Sequence, residues 1–175
     1  MKMVPMPENE INRQRFVTRR DKKGEPFIIG RGGPDDYERL LDMYSGFSPR
    51  PAAQGLPPSD PEKCSKWVGE ILKTGKNFLA LREARAIGHA ALIPDPWEDA
   101  CEYLIFVHQS SRNRGIGTAL TDLAVREARE KGCRSIWLCV ETKNVNAIKL
   151  YEKFGFIFCD MDACERKMAL DLMRL

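Results

Sequence analysis

The stretch Arg112-Asn113-Arg114-Gly115-Ile116-Gly117 decides the fold through what stands on either side of it. Upstream, residues 102–108 (EYLIFVH) have the β-branched and aromatic composition of a strand. Downstream, residues 118–131 read as an amphipathic helix, with Ile116, Leu120, Leu123 and Ala124 on one face and charged residues opposite. A strand that feeds a glycine turn and then a helix brings bare backbone N–H groups to the positive helix end, where a phosphate can sit. The turn is not a dinucleotide fingerprint, because Leu120 occupies the third glycine position. It is not an ATP-type loop either, because Thr118 and Ala119 follow Gly117 where Lys and Ser or Thr are required. Taken alone, such a turn is more often a tight connection than a phosphate site.

Outward from this centre, residues 25–31 (EPFIIGR) read as a first strand, and Pro34 with Asp35 opens a helix that runs through Tyr44. Residues 45–61 hold five prolines and two glycines and are a loop, long enough to carry function. A helix over 61–74 buries Trp67, Val68, Ile71 and Leu72 and ends at Gly75. Strands follow over 77–83 and 86–93, with a tight turn near Ala84-Arg85, and then over 101–108 and 135–140. A helix over 144–154 and strands over 156–160 and 167–172 complete the pattern, which suggests an α/β (α+β) domain with helices on both faces of a mixed sheet. Residues 1–24 read as a flexible polar arm and 25–175 as one domain.

The 175 residues suffice for one domain, and 43% hydrophobic content supplies a sizeable core. A net charge of +3 is too slight to imply a nucleic-acid partner. The cluster Arg13, Arg15, Arg19, Arg20, Lys22 and Lys23 reads as a solvated tail rather than an interaction arm. No apolar stretch approaches the ~20 residues that cross a bilayer, and no signal-peptide core is present. Six cysteines (Cys64, Cys101, Cys133, Cys139, Cys159, Cys164) lack C-x-x-C spacing, and with only His89 and His108 no metal site is expected. The economical expectation is a reduced, cytoplasmic protein.

A second signature lies downstream, residues 144–156 (NVNAIKLYEKFGF). Ala147, Leu150, Tyr151 and Phe154 share one helical face, Asn144 suits the N-cap, and Gly155 suits a left-handed stop. The two signatures at this separation resemble the GNAT superfamily of acetyl-CoA-dependent N-acyltransferases, over residues 25–172. The opening at 24–36, with Pro34-Asp35-Asp36, looks like the GNAT module of bacterial protein-lysine acetyltransferases. The resemblance implies a central, mostly antiparallel sheet of about seven strands flanked by about four helices. It also implies acetyl-CoA as co-substrate without a metal, an amine acceptor, and a homodimer as a common assembly.

Acetylating an amine from a thioester makes three demands. The diphosphate of the coenzyme needs donors, for which the turn offers backbone N–H groups of Arg114, Gly115, Ile116, Gly117, Thr118 and Ala119, next to Asn113, with charge from Arg112 and Arg114. The thioester oxygen needs a donor as it becomes negative; by resemblance this comes from a splayed strand end at Phe106, Val107 and His108, and such a donor contributes about 3 kcal/mol. For His108 a surface histidine is the plainer reading than an acid or base. The amine must also lose a proton: with a pKa near 10.4 it is about 0.04% neutral at pH 7, a cost of roughly 4.6 kcal/mol. Glu102, among apolar strand neighbours that raise its pKa, has the position of the family's general base; a solvent-facing glutamate is the alternative. The resemblance gives Tyr151 the role of general acid to the leaving thiolate, against a plain core tyrosine, and lets Asn144 touch the pantetheine arm. The acceptor, protein lysine or a small-molecule amine, is expected beside residues 45–61 with Phe47 and Trp97. A non-catalytic acyl-CoA-binding module is the competing class.

Overall fold

A computed structural model describes residues 15–52, 54–159 and 165–173. Its strands are β1 (Phe16–Arg20), β2 (Pro26–Arg31), β3 (Lys76–Arg82), β4 (Arg85–Pro94), β5 (Ala100–Val107), β6 (Ser135–Glu141), β7 (Ile157–Phe158) and β8 (Glu165–Asp171). The helices are α1 (Tyr37–Ser45), α2 (Pro61–Thr74), α3 (Ile116–Glu130) and α4 (Val145–Lys153). One eight-stranded sheet runs in the order β1-β2-β3-β4-β5-β6-β8-β7. Its pairings are antiparallel except β5 with β6, which the crossover through α3 makes parallel.

Local chemistry accounts for the element ends. Asp60 caps α2 by accepting the Lys63 N–H at 2.8 Å, and Pro61 fills the first turn. Glu83 and Ala84, both non-glycine, hold left-handed φ angles of 49° and 65° in the two-residue β3–β4 turn, whose twist then matches the strands. Side-chain alternation divides the core. Tyr103 packs with Leu120, Leu138 and Tyr151 beneath α3 and α4, whereas Phe106 packs with Leu40, Tyr44 and Val68 beneath α1 and α2.

A buried polar relay ties the second cluster together. Asn77 Nδ2 donates to the Ile71 and Gly75 carbonyls, so its Oδ1 accepts from His89 Nε2 at 2.9 Å. That leaves His89 Nδ1 to accept from the Tyr44 hydroxyl at 2.6 Å. Burial pushes His89 down to about 3, so the ring is neutral and fully partnered.

The N-terminal expectation needs correction. Residues 15–24 are not a free arm: β1 pairs along its whole length with β2, from Phe16↔Gly30 to Arg20↔Pro26. As an edge strand with four of its five residues exposed, β1 carries little of the apolar alternation that marks a strand in sequence. Gly30 permits the approach, since a Cβ there would lie 1.9 Å from the Arg15 carbonyl oxygen. Arg13 and the remainder of 1–14 lie outside the described residues, as does Cys164. No described helix is long and apolar enough to cross a membrane.

Candidate active site

The sheet parts where it is parallel. β5 and β6 share three rungs, Ala100↔Ser135, Cys101↔Ile136 and Glu102↔Trp137. Beyond them β5 stays with β4 as far as Val107↔Gly88, while β6 follows β8 to Glu141↔Glu165. The opening is a cleft of about 680 Å³ that passes through the sheet. On the α3/α4 side it is lined by Ile105, Val107, Gly117, Thr118, Leu150 and Tyr151; on the α1/α2 side by Phe47, Ala52, Leu56, Leu104 and Phe106.

Bonded and non-bonded pairs alternate along an antiparallel ladder. The His108 N–H donates to the Ile87 carbonyl at 3.0 Å, so the next pair, Val107 with Gly88, is non-bonded. The backbone groups of Val107, and of Ile105 two residues back, therefore turn into the gap. Those of Phe106 and the His108 N–H are engaged with β4, and the His108 carbonyl accepts from the Ser111 N–H at 2.8 Å. His108 is thus removed from the expected donor set, and its side chain caps the short turn that follows, Nδ1 lying 2.8 Å from Ser110 Oγ. Phe106 reaches the cleft through its ring alone.

At the glycine turn, Asn113 and Gly115 hold φ of 60° and 88°, and α3 starts at Ile116. The Ala119 N–H is already bonded to the Gly115 carbonyl at 3.1 Å, and Ala119 faces a separate groove beside Arg15 and Ile29. The free first-turn donors are accordingly Ile116, Gly117 and Thr118. The Ile116 side chain is buried in the core, so only its backbone serves the turn. Thr121 Oγ donates to the Gly117 carbonyl at 2.8 Å and accepts from the Tyr103 hydroxyl at 3.0 Å, which fixes the turn against β5.

Arg114 does not bring free charge to this mouth as expected, whereas Arg112 does line the cleft. Arg114 Nε lies 2.7 Å from Asp21, and its Nη2 lies 2.8 Å from Glu25. Arg112 donates to the Val107 carbonyl at 3.0 Å and to the Ser48 carbonyl at 2.6 Å, with its guanidinium over the Phe47 ring. Only the Arg114 charge is matched by carboxylates distant in sequence. Sequence reading missed Lys22, whose backbone N–H donates to the Arg114 carbonyl at 3.0 Å and which lines the cleft. The signal was there in Asp21 ahead of Lys22-Lys23-Gly24: Asp21 accepts the Lys23 and Glu25 N–H groups, as turn-forming aspartates do. Burial pushes the Asp21 carboxyl up, but those N–H groups with Arg82 and Arg114 outweigh it and hold it at about 2.

Asn144 caps α4, its side chain accepting the Ala147 N–H at 3.3 Å, and lines the cleft. Tyr151 is buried against Tyr103 and Phe156, and its hydroxyl has no hydrogen-bond partner among the described residues. Burial raises its pKa, which keeps the proton on across the neutral range. Glu102 stands on the last shared rung, half-buried, with no hydrogen bond or ion pair to a described residue. Burial raises its pKa as well. It faces the α1/α2 side with Leu104 and Phe106, below the cleft rather than among its lining residues. Trp97, 89% exposed, does not line the cleft either.

These features define an α/β protein whose sheet opens at a parallel junction over two helix starts. The chain belongs to the acetyltransferase (GNAT) family, whose model matches residues 38–156. The GNAT domain of S. lividans PAT superposes with a TM-score of 0.76 at 19% identity, covering 96% of this chain and 100% of that one. The yncA structure from Salmonella typhimurium, solved with its cofactor acetyl-CoA, gives a TM-score of 0.67 at 17% identity, with 85% and 95% covered. The mycothiol acetyltransferase of Geodermatophilus obscurus is 31% identical over 152 residues, 78% of this chain and 46% of that protein. The streptothricin acetyltransferase of Streptomyces lavendulae is 41% identical over 90 residues, 50% of this chain and 48% of that protein. The chain thus spans under half the length of these curated relatives.

Proposed function

We propose that this protein transfers an acetyl group from acetyl-CoA to a primary amine. The observation that carries the reading is the cleft through the parted sheet, with unbonded amides at one mouth and an unpartnered tyrosine hydroxyl inside it. The residues present fit the coenzyme: the first-turn N–H groups of α3, with Lys22 beside them, suit a diphosphate. The parted strand edge and Asn144 suit the amide-bearing arm. When bound, acetyl-CoA supplies the activated acetyl thioester.

The chain's own groups do the rest. The Val107 N–H points into the gap and donates to an oxygen on which negative charge develops. Glu102 takes the amine proton through water, since it stands just outside the cleft. Tyr151 donates a proton to the departing sulfur. The acceptor enters from the α1/α2 side, past Phe47, Leu56 and Leu104, and is either a protein lysine or a small amine.

Calorimetry with acetyl-CoA, followed by a thiol-release assay against amines and lysine peptides, tests this. Micromolar binding with acceptor-dependent release of CoA is the expected result; no binding at millimolar acetyl-CoA would sink the reading. One observation favours a non-catalytic acyl-CoA-binding module instead, namely the place of Glu102 outside the lining. That version predicts binding without thiol release for any acceptor.

A further inference from the structure

Cys101 and Cys133 stand apart from the catalytic reading, and their geometry is specific. Cys101 lies on β5 at the middle shared rung with β6, and Cys133 lies in the turn between α3 and β6. Their sulfurs are 3.1 Å apart, about 1 Å more than a disulfide bond requires. Both backbones are held in place. The Cys133 N–H donates to the Ala128 carbonyl at 3.0 Å, after Gly132 at a left-handed φ of 75°. The next residue, Arg134, donates to the Asp99 carbonyl at 2.7 Å, two residues before Cys101. Cys101 is buried and Cys133 is half-exposed, so one thiol is reachable and the other waits behind it.

We propose that Cys101 and Cys133 form a reversible disulfide, a redox-modification site in the β5–β6 crossover. The oxidant is a low-molecular-weight disulfide. The Cys133 thiolate attacks one of its sulfurs, forming a mixed disulfide and releasing one small thiol. The Cys101 thiolate, its proton given to water, then attacks Cys133 Sγ and releases the second small thiol. Two protein thiols are oxidised and one small disulfide is reduced. The bond closes the 32-residue span that carries the glycine turn and α3. It forms on the core side of β5, the face opposite Glu102, and so stiffens the crossover without entering the cleft.

The test is incubation of the whole protein at pH 8 with oxidised glutathione, then acid trapping, peptide mapping and thermal melts. The expected product is about 2 Da lighter, carries a Cys101–Cys133 linked peptide, reverts with dithiothreitol, and melts at least about 3 °C higher than the reduced form. Cys101→Ser should stop at an adduct about 305 Da heavier on Cys133. Wild-type protein that halts at this adduct, pairs through other cysteines, or melts no higher once linked overturns the proposal, and none of these readouts depends on acetyl-CoA.

Discussion

The two sides of the cleft are made of different material. On the α3/α4 side main-chain groups face inward, namely the amides of the first turn of α3, the edge of β5 and the capped start of α4, set among side chains that include Ile105, Val107, Leu150 and Tyr151. On the α1/α2 side the inward groups are side chains, Phe47, Ala52 and Leu56 from an irregular segment laid over Leu104 and Phe106. That segment is tied down by polar contacts from the other side: Arg112 holds the Ser48 carbonyl, and Gln109 Nε2 donates to the Gly46 carbonyl at 2.6 Å. A wall of peptide groups is fixed by the fold and indifferent to most substitutions. A wall of side chains is where a new acceptor is accommodated, because changing it disturbs no helix or ladder.

Substitutions can break this contrast or sharpen it. The largest effect is expected from Tyr151→Phe, a polar side chain set among the main-chain groups of its side. Thiol release should slow about 10²- to 10⁴-fold with acetyl-CoA affinity kept, and stopped-flow rates equal to wild type would leave Tyr151 a packing residue. Glu102→Gln should cost about 10²- to 10³-fold. Burial raises the Glu102 pKa, so if Glu102 is the base, wild-type kcat should climb with pH along a limb that lies above the ordinary glutamate range. The variant should lack the limb, so that its deficit is full above the limb and fades on the acid side, where the wild-type carboxyl is itself protonated; superimposable pH–rate profiles would hand the role to another group.

Gly117→Val probes the main-chain wall directly. A Cβ there would lie 3.2 Å from Leu150 Cδ2, with Ile105 and Val107 at 3.8 Å, so the larger side chain fills the slot between β5 and α4. Acetyl-CoA affinity measured by calorimetry should fall about 10- to 100-fold. Phe47→Ala, on the opposite wall, should raise acceptor KM about 10-fold and leave acetyl-CoA KM alone; a change in the coenzyme's KM instead would erase the distinction between the walls.

Asp21→Asn should have the smallest effect, on stability. The folded carboxyl is held at about 2 against an ordinary 3.8, so its contribution is complete above the ordinary value and disappears as pH falls through 2. Urea midpoints of variant and wild type should differ at pH 7 and converge near pH 2, and a constant offset would mean that the charge is not what matters.

The main-chain wall was the more legible in sequence, for a physical reason. Glycines, caps and the periodicity of α3 and α4 act within a few residues, so 112–119 and 144–155 announced their geometry. What could not be read is what depends on distant partners. Arg114 turns from the turn's mouth because Asp21, 93 residues earlier, meets it. Arg112 is held by the Ser48 carbonyl, 64 residues away, and β1 exists because Gly30 lets it approach. Glu102 was legible as a strand residue, but its place below the opening follows from where the third rung falls. Residues 45–61 were recognisable as a loop; that Phe47, Ala52 and Leu56 roof the α1/α2 side depends on Gln109 and Arg112 reaching across.

Parallel running of β5 and β6 has one more effect. Both strands point their carboxyl ends at the opening, so the helices that follow them, α3 and α4, both begin there. Each helix start carries roughly half a unit of positive charge, and together they set about one unit beside the opening. That field belongs to the peptide backbone. It does not titrate, and no acylation of nearby lysines can neutralise it, so the attraction for an anionic coenzyme would survive modification of the protein's own surface.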